Sequence, residues 1–253
     1  MISSKQIILS ISTIFILTSC TSKSPYTNRS QMIFVSSSEE MALGEKSYKE
    51  ALNEAKVINN TKDSQRIKII GQKIAQVSQK NDFKWEFNLV EDDQANAFCL
   101  PGGKVVVYTG ILKYAKNDDQ LATVISHEIA HALARHGAER MSQNMVQQGV
   151  GMIGNIVVGA TAPQYQNAFN IAYGAGSNLG VMLPYGRLQE SEADEIGIYL
   201  MYNAGYNISE AIKFWENMNE GKSDRSDFFS THPSSDTRIS DIQKIINKIN
   251  KDK

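Results

Sequence analysis

Cysteine is nearly missing from this chain: its 253 residues include two, Cys20 and Cys99. A disulfide-stapled fold is thereby excluded, because such scaffolds need several bridges to make up for a small core. A surplus of either charge is missing as well, with 26 basic residues against 27 acidic ones. Proteins that bind phosphate backbones gather a basic excess into a patch, so no nucleic acid partner is expected. Nor does any unbroken apolar run reach the roughly 20 residues that a membrane-spanning helix requires. The longest candidate, GVGMIGNIVVGATAPQYQNAFNIAYGAGSNLGVMLPYG over 149–186, is interrupted by glycines and prolines. It reads as a mobile or loosely helical cover over a neighbouring site.

What is present begins with an apolar share of 42%, enough for a sizeable core in one large domain. The first twenty residues, MISSKQIILSISTIFILTSC, carry one lysine and then an apolar run from Ile7 to Leu17, which reads as an export signal. Leu17-Thr18-Ser19-Cys20 resembles a bacterial lipobox, in which cleavage precedes a cysteine that becomes lipid-modified. The chain therefore divides into a lipoprotein signal peptide (1–19), a lipidated Cys20 with a Ser/Thr/Asn-rich tether (20–38), and a folded domain (39–253). Thr21 is not the aspartate associated with inner-membrane retention, so the expected place is the periplasmic face of the outer membrane. Cys99, between Phe98 and Leu100, is expected to be buried and inert.

Within the domain, EEMALGEKSYKEALNEAKVI and DSQRIKIIGQKIAQVSQ show apolar residues at helical spacing. KWEFNLVED alternates as a half-buried strand does, and AFCLPGGKVVVYTG adds two strands around a Pro-Gly-Gly turn. A long helix is expected from Asn117 to about Met145, and further helices at LQESEADEIGIYLMYNAG, SEAIKFWENMN and TRISDIQKIINKIN. The class is α+β, mainly helical with a small antiparallel sheet.

Three of the four histidines fall in SHEIAHALARH, from Ser126 to His136. His127 and His131 are four apart, so both imidazoles reach one ion from a single helix face. Glu128 lies about 100° round from His127, where its carboxylate can accept a proton from an attacking water without ligating the metal. Val124, Ala130 and Ala134 share the histidine side, so the pair faces an apolar interior. His136 would sit on the opposite face of a continuing helix and is expected at the surface or behind the ligands. The third ligand is sought in LQESEADEIG, where Glu190 and Asp194 share the side of Ala193, Gly197 and Met201, while Glu192 and Glu195 point away. Two acids aimed at a core need a compensating charge, and a metal provides it. Glu190 is the expected third ligand. Asp194 is expected to orient a ligand histidine from behind, with Arg187 beside it. Two His, one Glu and an open position describe a catalytic zinc site, one Zn2+ per chain.

These motifs resemble the zinc metallopeptidases of family forty-eight, the group of HtpX and the CAAX prenyl protease. The resemblance rests on HEIAH at 127, ESEAD at 190, NAFCLPGGKVVVYTG from Asn96 and THPSSDTRI from Thr231, in order over 39–253. It implies a zincin-like fold, with the sheet beside the HExxH helix, and a soluble periplasmic lipoprotein member. It also implies that the strand at Asn96, Ala97 and Phe98 borders the cleft and takes the substrate backbone as an added strand. His232 is placed near the zinc, to stabilise the tetrahedral intermediate or to fill the open position at rest; a plain boundary role for His-Pro stands beside these. The implied activity is endopeptidase cleavage of unfolded or misassembled envelope proteins. The alternative is a chaperone or assembly factor with a latent, self-blocked zinc site.

Overall fold

The computed structural model describes residues 21–178, 182–220, 226–232 and 237–251. The expected signal peptide, the lipidation site Cys20, and the Pro-Ser-Ser-Asp that follows His232 lie outside them. Strands β1 (Thr21–Lys23) and β2 (Ser30–Met32) pair antiparallel. The expected tether is thus a hairpin docked on the domain. Its polar residues close a turn with Tyr26 and Asn28 at positive φ, and Gln31 Nε2 donates to the Ala134 carbonyl at 2.6 Å.

Helix α1 (Ser37–Glu54) starts at a capping box formed by Ser36 and Glu39, and α2 (Lys62–Val77) at Thr61. Ile67, Ile70 and Ile74 recur at helical spacing on α2 and are fully or almost fully buried. Strands β3 (Val57–Ile58), β4 (Glu86–Val90), β5 (Ala97–Leu100) and β6 (Lys104–Tyr108) form one sheet in the order β3-β4-β6-β5. Two of its pairings are antiparallel, and the central one, β4 with β6, is parallel. The β5–β6 turn needs left-handed backbone at both Gly102 (φ 86°) and Gly103 (φ 88°), which side chains resist. β6, with neighbours on both sides, is buried from Lys104 to Val107.

Helix α3 (Asp118–Leu133) is the axis of the core, buried from Gln120 to its end. Asn117 caps it, its side chain accepting from Gln120 N at 2.8 Å. The single helix expected to Met145 is two. Arg135 takes left-handed backbone (φ 54°, ψ 36°), and α4 (His136–Thr161) starts in a new direction. Arg135 is held there by Glu40 at 2.7 Å and by the Val35 carbonyl at 3.1 Å. As far as Ser177 the glycine-rich segment is regular rather than loose: α4 turns through Pro163–Tyr165 into α5 (Gln166–Ser177), which packs chiefly back on α4.

Helix α6 (Leu183–Asn203) lies against α3. Gly197 permits this approach, since a Cβ there would sit 3.2 Å from the His127 backbone nitrogen. Helices α7 (Glu210–Glu220), α8 (Ser226–Thr231) and α9 (Arg238–Lys251) close the core with Phe214, Trp215, Phe228, Ile242 and Ile246. The α+β, zincin-like class holds, with the sheet beside the HExxH helix.

Candidate metal centre

Because α3 and α6 pack closely, the residues of SHEIAH and ESEAD meet in the interior. His127, His131, Glu190 and His232 are all buried, and each offers a donor atom within 4.8 Å of the others. His127 Nε2 and His131 Nε2 are 3.1 Å apart. Glu190 places Oε2 at 3.1 Å from the first and Oε1 at 3.3 Å from the second. Ligands about 2.0–2.1 Å from a tetrahedral zinc lie roughly 3.3 Å from one another, so this spacing fits the ion.

Tautomers strengthen the fit. His127 Nδ1 donates to Asp194 Oδ1 at 2.9 Å, which leaves Nε2 a bare lone pair in the neutral ring. His131 Nδ1 is 2.8 Å from His136 Nδ1, and His136 Nε2 is 3.0 Å from Glu192 Oε2. With His136 donating to Glu192, its Nδ1 accepts from His131, and His131 Nε2 is a second bare lone pair. Two lone pairs face each other at the site, an arrangement that calls for a cation between them. Charge argues the same way. Glu128, Glu190 and Asp194 are three buried carboxylates, and of the described residues Arg238 is the one guanidinium among them, 2.7 Å from Asp194 and stacked 3.6 Å from the Trp215 ring centre. With the histidines neutral the carboxylates leave a negative excess, which a metal cation offsets.

Burial opposes the protonation of His127, but the carboxylates of Asp194 and Glu190 outweigh it and raise its pKa to about 9. Burial instead drives His131 well below the ordinary histidine range. Burial acts to raise Glu190 too, but His131, His127 and His232 around it hold it far below the usual carboxylate range. Metal loading therefore displaces a proton from the His127–Glu190 pair. Burial pushes the Glu128 carboxyl up, towards the basicity that a general base needs. Its buried Oε1 has no hydrogen bond, and His232 Nε2 stands 3.5 Å away.

Other expected residues fall differently. Of the two places expected for His136, the structure shows the one behind the ligands: it is fully buried, because the chain turns at Arg135 and brings it back against His131. Glu192 does not point away into solvent. It is buried, and its pKa is held to about 2: burial opposes ionisation, but His136, Ser24, Thr27 and Arg29 all bond its carboxylate. Arg29 carries this network into the N-terminal hairpin, 2.5 Å from Glu192 and 2.7 Å from Glu139. Arg187 is exposed and makes no ion pair among the described residues, so the place behind the ligands belongs to Arg238 instead. Sequence reasoning missed the Arg29–Glu192–His136 network. Its local signals were His136, five residues past His131, and Glu192, two residues past Glu190.

The segment Asn96, Ala97, Phe98 leads into β5, an edge strand packed beside α3. Asn96 O accepts from Tyr108 N at 3.0 Å, and no strand pairs the other edge of β5 among the described residues. Cys99 is half-buried, and burial together with the nearby Glu128 charge pushes its thiol pKa well up, which leaves it unreactive. His232 stacks on Phe228 at 4.6 Å and brings Nδ1 to 3.3 Å from Glu190 Oε2.

The model of peptidase family M48 matches residues 61–246. The mitochondrial metalloendopeptidase OMA1 of Saccharomyces cerevisiae is 36% identical over 249 residues, spanning 90% of this chain and 70% of that protein. OMA1 of Schizosaccharomyces pombe is 34% identical, spanning 87% of this chain and 65% of its own. The beta-barrel assembly-enhancing protease of Escherichia coli K12 is 30% identical over 219 residues, 83% of this chain and 44% of that protein.

Proposed function

Because the chain belongs to peptidase family M48, a family of zinc metalloendopeptidases, we propose that it cleaves unfolded or misassembled cell-envelope proteins while lipid-anchored through Cys20. The expected place is the periplasmic face of the outer membrane. Support for the substrate class comes from the name of the beta-barrel assembly-enhancing protease, and support for the anchor from the lipobox-like sequence. One observation carries the chemistry: a buried carboxylate oxygen on Glu128, free of hydrogen bonds, stands beside a donor set spaced for zinc.

His127, His131 and Glu190 hold the metal in this reading, and zinc, when bound, polarises the scissile carbonyl and acidifies water. Glu128 takes the proton of the attacking water and passes it to the leaving amine nitrogen. Asp194 and the His136–Glu192 pair fix the tautomers of the two histidines, and Arg238 supplies the countercharge of Asp194. The open edge of β5 takes the substrate backbone as an added strand, with Asn96, Ala97 and Phe98 along it.

The test is casein cleavage by the chain starting after Cys20, beside its Glu128→Gln counterpart, with zinc measured on both. The expected result is chelator-sensitive cleavage by the first, and a loss of about 10²–10⁴-fold with zinc retained in the second. Full activity in Glu128→Gln would refute the assignment. Glu190→Ala should lower bound zinc, and unchanged metal content would remove Glu190 from the ligand set.

A second reading is favoured by His232, whose Nδ1 stands among the donors where a substrate carbonyl would need to enter. In that reading the protein is a chaperone or assembly factor with a latent, self-blocked site. Full rescue of an envelope-assembly defect by Glu128→Gln would select it over the protease.

A further inference from the structure

The α4–α5 hairpin has an inside and an outside of different kinds. On the inside, glycines of α4 receive the aromatic rings of α5. A Cβ at Gly154 would lie 2.3 Å from the Phe169 ring, and one at Gly151 would lie 2.8 Å from Tyr173. The two rings stack on each other at 5.7 Å, and Tyr173 donates to the Gln147 carbonyl at 2.8 Å. This seam is complete in itself. On the outside, Met152, Ile153, Ile156 and Val157 on α4 and Ile171 on α5 are 53–74% exposed. An aliphatic face this open, on a hairpin whose own seam is already filled, is surplus to folding.

Two further observations identify what covers it. Residues 141–186 contain no Asp, Glu, Lys, Arg or His, in a chain whose charged share is 21%. A surface that meets a soluble protein keeps a polar, charged rim, whereas charge carried to the depth of acyl chains is costly. The hairpin is also rooted beside the first described residue, Thr21, which follows the expected lipidation site Cys20 in the chain. Thr21 pairs with Met32 in the β1–β2 ladder, and Met32 lines one apolar cleft with Val146, Val150, Tyr173 and Met182.

We propose that the outer face of this hairpin, centred on Ile153, Ile156 and Val157, beds into a lipid bilayer surface as a second membrane contact of the protein. No described helix is long and apolar enough to cross a membrane, so the contact is interfacial. An apolar face of this kind sits about 5–10 Å into the boundary between headgroups and acyl chains. Lacking charge, it does not select anionic headgroups, and added salt does not release it. The contact does not depend on the protein being a protease.

The test places a reporter on the face itself, so that any other membrane anchor cannot mimic the result. The full chain carrying Ile156→Trp is mixed with vesicles of phosphatidylethanolamine and phosphatidylglycerol, and separately with neutral phosphatidylcholine vesicles. The expected result, above the background of Trp85 and Trp215 in the parent chain, is a blue shift with both. Lipids brominated near the headgroup should quench more than lipids brominated at the chain end. Adding Ile153→Glu and Val157→Glu to the same chain should abolish shift and quenching while its thermal unfolding and casein cleavage stay as they were. Unshifted emission from the Ile156→Trp chain in the presence of vesicles overturns the proposal, as does a shift that survives the two glutamates. A shift that follows protein concentration alone would assign the face to a second copy. One that follows unfolded casein alone would assign it to polypeptide. Either result also overturns the lipid contact.

Discussion

His136 shows how much a single residue can depend on its neighbours' conformation. Its Nδ1 accepts from His131 at 2.8 Å and its Nε2 donates to Glu192 at 3.0 Å, so it fixes the tautomer of a metal ligand it does not replace. Partners of this kind, when removed, typically weaken metal binding by about 10–100-fold. His136→Ala is expected to weaken zinc binding by that amount, measured by competition with a chelator, while Glu128→Gln should not weaken it. His136→Gln retains a carbonyl that can accept from His131 and should recover part of the loss. An unaltered zinc affinity in His136→Ala would show that His131 needs no help in holding its tautomer.

At the scale of elements, the α3–α6 contact sets the geometry of the donors, because α3 supplies the histidines and α6 the carboxylates. Gly197 is where α6 comes nearest, with its Cβ position 3.2 Å from His127 N and 3.3 Å from Ser126 Oγ. Gly197→Val is expected to destabilise the fold by about 1–3 kcal/mol, as overpacked cores are. It should also lower zinc content by moving Glu190 away from His127. Thermal unfolding and elemental analysis together check this, and a Tm and zinc content equal to the parent would show that the helices yield without cost. The start of α3 has its own electrostatic support. Glu210 Oε2 accepts from Asn117 Nδ2 and Gln120 Nε2, both at 2.8 Å. Hydrogen bonds from Lys213 foremost, then Asn117 and Gln120, lower the Glu210 pKa from 4.5 to about 2. A depressed folded pKa means that this stabilisation is complete above the unfolded value and fades as pH falls through the interval from 4.5 to about 2. Glu210→Gln should therefore flatten the stability profile in that interval, as read from urea unfolding at stepped pH.

In the whole molecule, the N-terminal hairpin and the catalytic layer are one structure. Arg29 is the countercharge for Glu139 and Glu192, whose side chains are 1% and 4% exposed. Removing one partner from a buried ion pair typically costs about 3–5 kcal/mol, because a charge is left unpaired. Arg29→Ala is expected to lose about 3 kcal/mol in denaturant unfolding and to loosen zinc through Glu192 and His136. Arg29→Lys should restore part of the stability. A loss below about 1 kcal/mol in Arg29→Ala would mean that the carboxylates are solvated and the hairpin is peripheral.

Sequence alone determined the parts of this protein that rest on local periodicity. Four-residue spacing put His127 and His131 on one face and Glu190 with Asp194 on another, and turn chemistry marked Gly102 and Gly103. These follow from helix geometry and from φ preferences, which each segment carries within itself. Tertiary structure decided what depends on distant chain. The reversal at Arg135 is held by Glu40 and Val35 from the start of the chain, and without it His136 would face away from His131. Arg29 and Arg238, near opposite ends of the sequence, both settle against carboxylates of α6, at Glu192 and Asp194. The parallel pairing of β4 with β6 likewise joins strands separated by β5. No periodicity records such meetings, because they are selected by burial and charge balance once the helices have packed.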